Sequence, residues 1–260
     1  NFSIRVVVMN KNLTSAVVIP ARFASSRYPG KPLVPLLGKP MIIWVAELSE
    51  KAVGKEHVYL ATDDNRIKDV VEAEGLNVVM TGKALTGTDR IAEAAQQINA
   101  DIIVNVQGDE PLLGPDLIEV VIKPFHDDPD VDGTILTVPI VDEETYRNPN
   151  IVKLVHNLRG DVLYTSRSPL PYTNGFSLDL GAKRVGGIFG FKWSFLSWFT
   201  SLKASPLEIK ESCDSNRIYD HGFTQRIAPM APRPYQSVDS PEDVTLVEEV
   251  IMNDPYWGKY

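Results

Sequence analysis

The feature that most limits the folds open to this chain is a rhythm of short apolar runs separated by helical patterns. AVVI at 16–19, VYLA at 58–61, NVVM at 77–80 and IIVNV at 102–106 each read as a strand. Pro20 closes the first run, because proline brings no N–H to a ladder. Between the runs, residues 40–50 have helical apolar spacing with Gly54 just beyond. Residues 65–74 form a second helix, capped by Asp63 or Asp64 and stopped by Gly75. A third spans 88–99, with Ile91, Ala94, Ala95 and Ile98 on one face. This alternation predicts a parallel α/β sheet whose ligands bind at the carboxyl ends of the strands. IIVNV is almost wholly apolar and is expected at the centre of the sheet, covered on both faces.

From about residue 132 the rhythm changes. Strand-like stretches at 133–141, 151–156, 161–166 and 184–191 surround a hairpin turn at Asn157-Leu158-Arg159-Gly160 and a loop at 169–183. Helices are predicted at 193–202, 206–219 and 240–253, the last with Ser240 as cap and Pro241 in its first turn. Trp193, Phe195, Trp198 and Phe199 read as core or subunit interface. One domain is expected over 15–260, with 132–191 as a β-rich extension and 1–14 as an N-terminal extension.

A net charge of −8 speaks against a general nucleic-acid binder. No apolar run approaches the ~20 residues of a membrane helix, and the opening residues lack a secretory apolar core. The single cysteine, Cys213, excludes an intramolecular disulfide and a cysteine zinc cluster. A cytoplasmic protein is expected.

The chemistry-bearing residues follow the strands. The first strand leads into PARFASSRYPGKPL, a loop carrying Arg22, Arg27 and Lys31 with Gly30 beside the lysine. Backbone N–H groups and fixed cations together suit an oligophosphate. Alone, such a loop reads as a solvated surface. IIVNV, however, runs into Gln107-Gly108-Asp109-Glu110-Pro111, and Asp239 stands just before the last helix. Each acid alone reads as a turn or cap residue. Combined with the basic loop they fit a nucleotide site in which Mg²⁺ bridges carboxylates and phosphates.

The loop at 20–33 closely resembles the signature of the bacterial CMP-Kdo synthetases, the 3-deoxy-manno-octulosonate cytidylyltransferases, with Tyr28 where leucine is usual. TGTDR at 86–90, NVQGDEP at 105–111, NPN at 148–150, YTSR at 164–167, SPLE at 205–208 and VDSPED at 238–243 match in the same order. The resemblance implies a Rossmann-like, nucleotide-diphospho-sugar-transferase type of α/β fold: a mixed, mainly parallel sheet with helices on both faces. It implies transfer of CMP from CTP to a 3-deoxy-octulosonic acid with release of pyrophosphate, for lipopolysaccharide biosynthesis, in a cytoplasmic homodimer.

It further implies that Arg22 and Lys31, assisted by Arg27, neutralise the triphosphate, with Asp109 and Asp239 holding Mg²⁺. Ala21, Thr86, Thr88 and Arg90 are expected around the nucleotide, and Gln107 near the sugar. Arg167 is expected on the sugar carboxylate, a task that suits a planar guanidinium. The chain departs from the family in its sugar-binding half. Val185 stands where histidine is common, Phe189 and Phe191 replace tyrosines, and Asp214-Ser215-Asn216 replaces EQL. With Glu211 and Asp214 retained as acids, these departures favour an 8-amino-3,8-dideoxy sugar (8-amino-Kdo) over plain Kdo, with Val185, Glu211, Asp214 and Ser215 as sugar-site residues. The competing readings are a CMP-sialic acid synthetase and a non-catalytic nucleotide-binding protein.

Overall fold

The computed structural model describes residues 13–24 and 28–253. Most of the expected N-terminal extension (residues 1–12) and Arg27 of the basic loop lie outside the described residues. The chain begins with β1 (Ser15–Ala21), β2 (Pro35–Leu36), β3 (Lys39–Pro40), α1 (Met41–Val53) and β4 (Val58–Thr62). There follow α2 (Asn65–Ala73), β5 (Asn77–Met80), α3 (Gly87–Ala95), β6 (Ile102–Val106) and α4 (Pro115–Asp127). Next come β7 (Gly133–Pro139), α5 (Glu143–Arg147), β8 (Lys153–His156), β9 (Val162–Ser166) and β10 (Lys183–Lys192). Last are α6 (Trp193–Ser201), α7 (Pro206–Glu211), α8 (Ser215–Asp220), β11 (Arg226–Pro229) and α9 (Pro241–Asn253). Among the described residues no helix is long and apolar enough to cross a membrane.

The chain forms two compact units. The first comprises Ala16–Asn99, Ile103–Ile118 and Pro232–Tyr260; the second comprises Asn1–Ser15, Ala100–Ile102 and Glu119–Ala231. The β-rich extension expected over 132–191 therefore falls inside a second unit that runs on to Ala231.

In the first unit the strand order is β6-β1-β4-β5, with β1, β4 and β5 parallel and Ile19 opposite Leu60. All five residues of β6 are buried, as its apolar sequence required. Each fully buried aliphatic side chain contributes roughly 1.5–3 kcal/mol. Helix α1, expected from the apolar spacing of 40–50, buries Met41, Ile42, Ile43, Val45, Ala46, Leu48 and Ser49. Asp64 caps α2 by accepting from the Arg66 amide at 3.0 Å. Thr86 and Asp89 close a reciprocal capping box at the start of α3. The expected end of β1 at Ile19 is corrected: the strand continues through Pro20 to Ala21, opposite Thr62. A proline one residue from a strand end forfeits a single ladder donor and keeps an extended backbone.

In the second unit β7 lies between β11, which is parallel to it, and the antiparallel β10. β10 also pairs with β8, and β8 with β9, both antiparallel. The β8–β9 turn is the predicted one. The Asn157 side chain accepts from the Arg159 and Asp161 amides at 2.9 and 3.0 Å, and Gly160 takes φ 84°.

The single helix expected over 206–219 is instead two. Ser212 adopts φ 50° and ends α7, and α8 begins at Ser215. The break follows from side-chain bonding. The Glu211 carboxylate and the carbonyls of Glu211 and Ser212 are all engaged by β9 and its following residue, Arg167.

Candidate active site

The first unit brings the basic loop and both acidic segments together. Lys31 sits in a short turn of 3-10 helix after Gly30, whose φ of 73° a side chain would strain. Its Nζ lies 2.5 Å from Asp109 Oδ2 and 3.6 Å from Asp239 Oδ1, and it donates to the Val238 carbonyl at 2.8 Å. The Val238 amide donates to the Asp109 carbonyl at 2.9 Å, which ties the two acidic segments together through the backbone. Gly108 allows this approach. A Cβ there would stand 2.8 Å from Ile42 Cδ1 and 3.2 Å from the Pro20 carbonyl oxygen.

Beside this cluster opens a cleft of about 300 Å³ at the carboxyl ends of β1 and β6. Ala21, Arg22, Lys31, Thr86, Gly87, Arg90, Gln107 and Asp109 line it. Thr88, also expected here, is a buried residue of α3 and is not among the lining residues. Arg22 is exposed at the rim. Arg90 is 5% exposed and fixed in place, donating to Thr81 Oγ1 at 2.5 Å and pairing with Asp63 at 3.2 Å. Sequence reading offered Asp63 only as a helix cap. Its place at the end of β4 was the available signal for a site role. Gln107 donates to Asn105 Oδ1 at 3.0 Å, which orients its amide at the end of β6.

Among the described residues no three His, Cys, Asp or Glu side chains gather as a self-sufficient metal cage. The donor set of Asp109 and Asp239, two hard carboxylates already converging on one cation, fits an ion that takes its remaining ligands from phosphate and water.

Apart from Gln107, the residues expected around the sugar lie in the second unit. Arg167 donates from Nε to the Glu211 carbonyl at 2.8 Å, from Nη1 to the Pro149 and Asn150 carbonyls at 3.1 and 3.2 Å, and from Nη2 to Ser212 at 3.3 Å. A bidentate grip on a carboxylate requires it to release some of these. Glu211 accepts from Tyr164 and Ser166 hydroxyls at 2.6 and 2.9 Å and from the Arg167 amide at 2.9 Å. Burial pushes its carboxyl up, but these donors outweigh it and hold the group below the usual range.

Asp214 and Ser215 open α8, where Ser215 is buried. Val185 is a packing residue: with Phe189 and Tyr219 it lies against the cluster of Ile135, Leu154 and Val162. Asn216, 0% exposed, accepts from Thr165 Oγ1 at 2.8 Å and donates to the Thr165 carbonyl at 3.1 Å. Lys153 is another group the sequence did not single out. It is buried and donates to three backbone carbonyls, one of them Arg167's. Burial pushes the Cys213 thiol up to about 11, so it carries almost no thiolate at neutral pH.

Comparison with known proteins identifies the family to which the chain is similar. The model of the cytidylyltransferase family matches residues 16–227. The 3-deoxy-manno-octulosonate cytidylyltransferase of Syntrophotalea carbinolica is 41% identical over 245 residues, covering 91% of this chain and 98% of that protein. That of Nitrosococcus oceani is 39% identical over 249 residues, covering 91% and 96%. Among solved structures, a CMP:2-keto-3-deoxy-manno-octonic acid synthetase complexed with CTP superposes with a TM-score of 0.85 at 34% identity, covering 92% of this chain and 98% of that one.

Proposed function

This chain belongs to the 3-deoxy-manno-octulosonate cytidylyltransferase family, and we propose that it transfers CMP from CTP to the 3-deoxy-octulosonic acid Kdo, releasing pyrophosphate. The observation that carries the reading is the convergence of Lys31, Asp109 and Asp239 beside the cleft that Arg22, Thr86 and Arg90 line. The sugar's anomeric hydroxyl attacks the α-phosphorus of CTP and the bond to pyrophosphate breaks. Such a transfer needs charge neutralisation and alignment rather than a covalent enzyme intermediate.

Lys31 and Arg22 neutralise the triphosphate and then the departing pyrophosphate. Arg27 of the same loop is proposed to assist. Thr86 and the rigidly held Arg90 position the nucleoside, and Gln107 meets the incoming sugar. Asp109 and Asp239 would hold Mg²⁺, which supplies electrostatic stabilisation of the phosphate oxygens when bound. In the second unit, Arg167 is proposed as the carboxylate partner of the sugar, with Asp214 and Ser215 nearby at the head of α8.

An 8-amino-3,8-dideoxy sugar is the second reading, resting on the retained acids Glu211 and Asp214. Its other supports have weakened, because packing accounts for Val185 and bonds to Thr165 account for Asn216 without reference to substrate. A cytoplasmic homodimer serving lipopolysaccharide biosynthesis is part of the proposal; light scattering tests the dimer. The deciding assay measures pyrophosphate release with CTP, Mg²⁺ and each sugar in turn. Kdo is expected to give the higher kcat/KM. Preference for the 8-amino sugar would reverse the assignment, and release with neither would overturn the activity.

A further inference from the structure

Lys31 does not stand clear of the two aspartates to await a phosphate. Its ammonium is seated between them, 2.5 Å from Asp109 Oδ2 and 3.6 Å from Asp239 Oδ1, with the Val238 carbonyl taking another of its hydrogens at 2.8 Å. Only 15% of the side chain is exposed, so this is a lodged group rather than a surface pairing. An ion with the ~2.1 Å magnesium–oxygen distance on that same Asp109 oxygen would overlap the nitrogen, and the two cations would repel at close range. Without a cation between them, two carboxylates tied by the Val238–Asp109 backbone bond would repel each other instead.

We propose that Lys31 is a placeholder cation: in the nucleotide-free enzyme it occupies the divalent-ion position between Asp109 and Asp239, and it yields that position when a triphosphate draws it away. The inference rests on the assignment of those two aspartates to the metal. It adds an order of events. The empty enzyme excludes free divalent ions, keeps the carboxylates at a cation-binding span, and accepts the ion only with or after the nucleotide. Lys31 thereby couples phosphate recognition to metal loading, a role distinct from simple charge neutralisation in the transition state.

The test uses Mn²⁺ alone, followed by the electron paramagnetic resonance signal of the free ion, on the nucleotide-free full chain. Lys31→Met should bind Mn²⁺ about tenfold or more tighter than the unsubstituted protein, within the 5–150-fold range of ordinary site coupling. Lys31→Gln should behave alike, and it serves as the second variant should the first fail to fold by circular dichroism. Adding Asp109→Asn to either should remove the gain. If both folded Lys31 variants bind Mn²⁺ no tighter than the unsubstituted protein, the placeholder role is overturned. The metal assignment survives that result provided Mn²⁺ bound in the presence of CTP is lost on Asp109→Asn. If Asp109→Asn and Asp239→Asn both leave CTP-dependent Mn²⁺ binding intact, the metal assignment falls and the placeholder with it.

Discussion

Replacing Arg217 by Met should destabilise the protein by about 3–5 kcal/mol at pH 7, and the loss should shrink as the pH falls. In the native protein Glu208 accepts from Arg217 Nε at 2.8 Å and from Nη2 at 2.5 Å, with side chains only 9% and 5% exposed. The Ser205 amide adds a bond at 3.0 Å to the same carboxylate. Removing the guanidinium strands a buried charge, for which about 3–5 kcal/mol is the ordinary cost. Protonation limits that cost. Taking the carboxyl from its ordinary value of 4.5 to neutral form at pH 7 requires roughly 3.4 kcal/mol, at about 1.36 kcal/mol per pH unit. The lost hydrogen bonds add to this.

The sign of the pH dependence follows from the shifts. Burial pushes Glu208 up, but Arg217 and the Ser205 amide outweigh it, so the native group lies below its ordinary value. Its contribution is therefore complete above about pH 4.5 and is lost as the pH falls through the lowered native value. In the variant burial acts without Arg217, so the folded group lies above its unfolded value and the variant regains stability as the pH drops. Between pH 7 and pH 5 the deficit should shrink by up to about 2.7 kcal/mol. Urea unfolding followed by circular dichroism at both pH values measures it. A loss below about 1 kcal/mol, or one of equal size at both pH values, would refute the argument.

Asp109→Asn and Asp239→Asn should each lower kcat by roughly a hundredfold or more in the pyrophosphate assay; near-normal turnover in either would remove that residue from the site. Gly108→Ala forces a Cβ to within 2.8 Å of Ile42 Cδ1 and 3.2 Å of the Pro20 carbonyl. It should cost about 1–3 kcal/mol in thermal unfolding and weaken CTP binding through the adjacent Asp109. Asn216→Leu, which restores the residue usual in the family, should destabilise by about 1–3 kcal/mol because it removes two buried bonds to Thr165 and leaves that hydroxyl only the weak partner Cys213 Sγ at 3.4 Å. An unchanged urea midpoint would show that those two bonds carry no stability.

What could be read in advance was whatever depends on neighbours in sequence. The apolar run of β6 and the cap at the start of α2, offered as Asp63 or Asp64 and made by Asp64, are local patterns and formed as expected; the Thr86–Asp89 box is equally local but was not singled out. The residue types of the site were legible too, but their meeting was not. Lys31 reaches Asp109 across 78 positions and the Val238 carbonyl across 207, and no periodicity encodes such a closure. The strand β11 escaped notice because RIAP has neither alternation nor a β-rich composition; it forms because β7 offers a parallel edge. The break between α7 and α8 was hidden because Ser212 takes a left-handed backbone without glycine, under bonds made from β9. Val185 was ambiguous in another way. A departure from a family pattern looks the same in sequence whether it reshapes a pocket or repacks a core, and only its apolar neighbours reveal which.

The first unit is threaded through three separate stretches of chain, and its last stretch brings Val238 and Asp239. On the ribosome, where folding proceeds from the N-terminus, the walls of the cleft emerge long before the segment that closes onto Asp109. All of Glu119–Ala231 must be synthesised in between. A chain cut short before residue 232 thus carries the basic loop and Asp109 but lacks both the Val238 carbonyl and the second aspartate that hold Lys31. The seat of Lys31 is thus completed only after the whole of the second unit's long central stretch has been made, although both its lysine and its first aspartate are encoded in the first half of the chain.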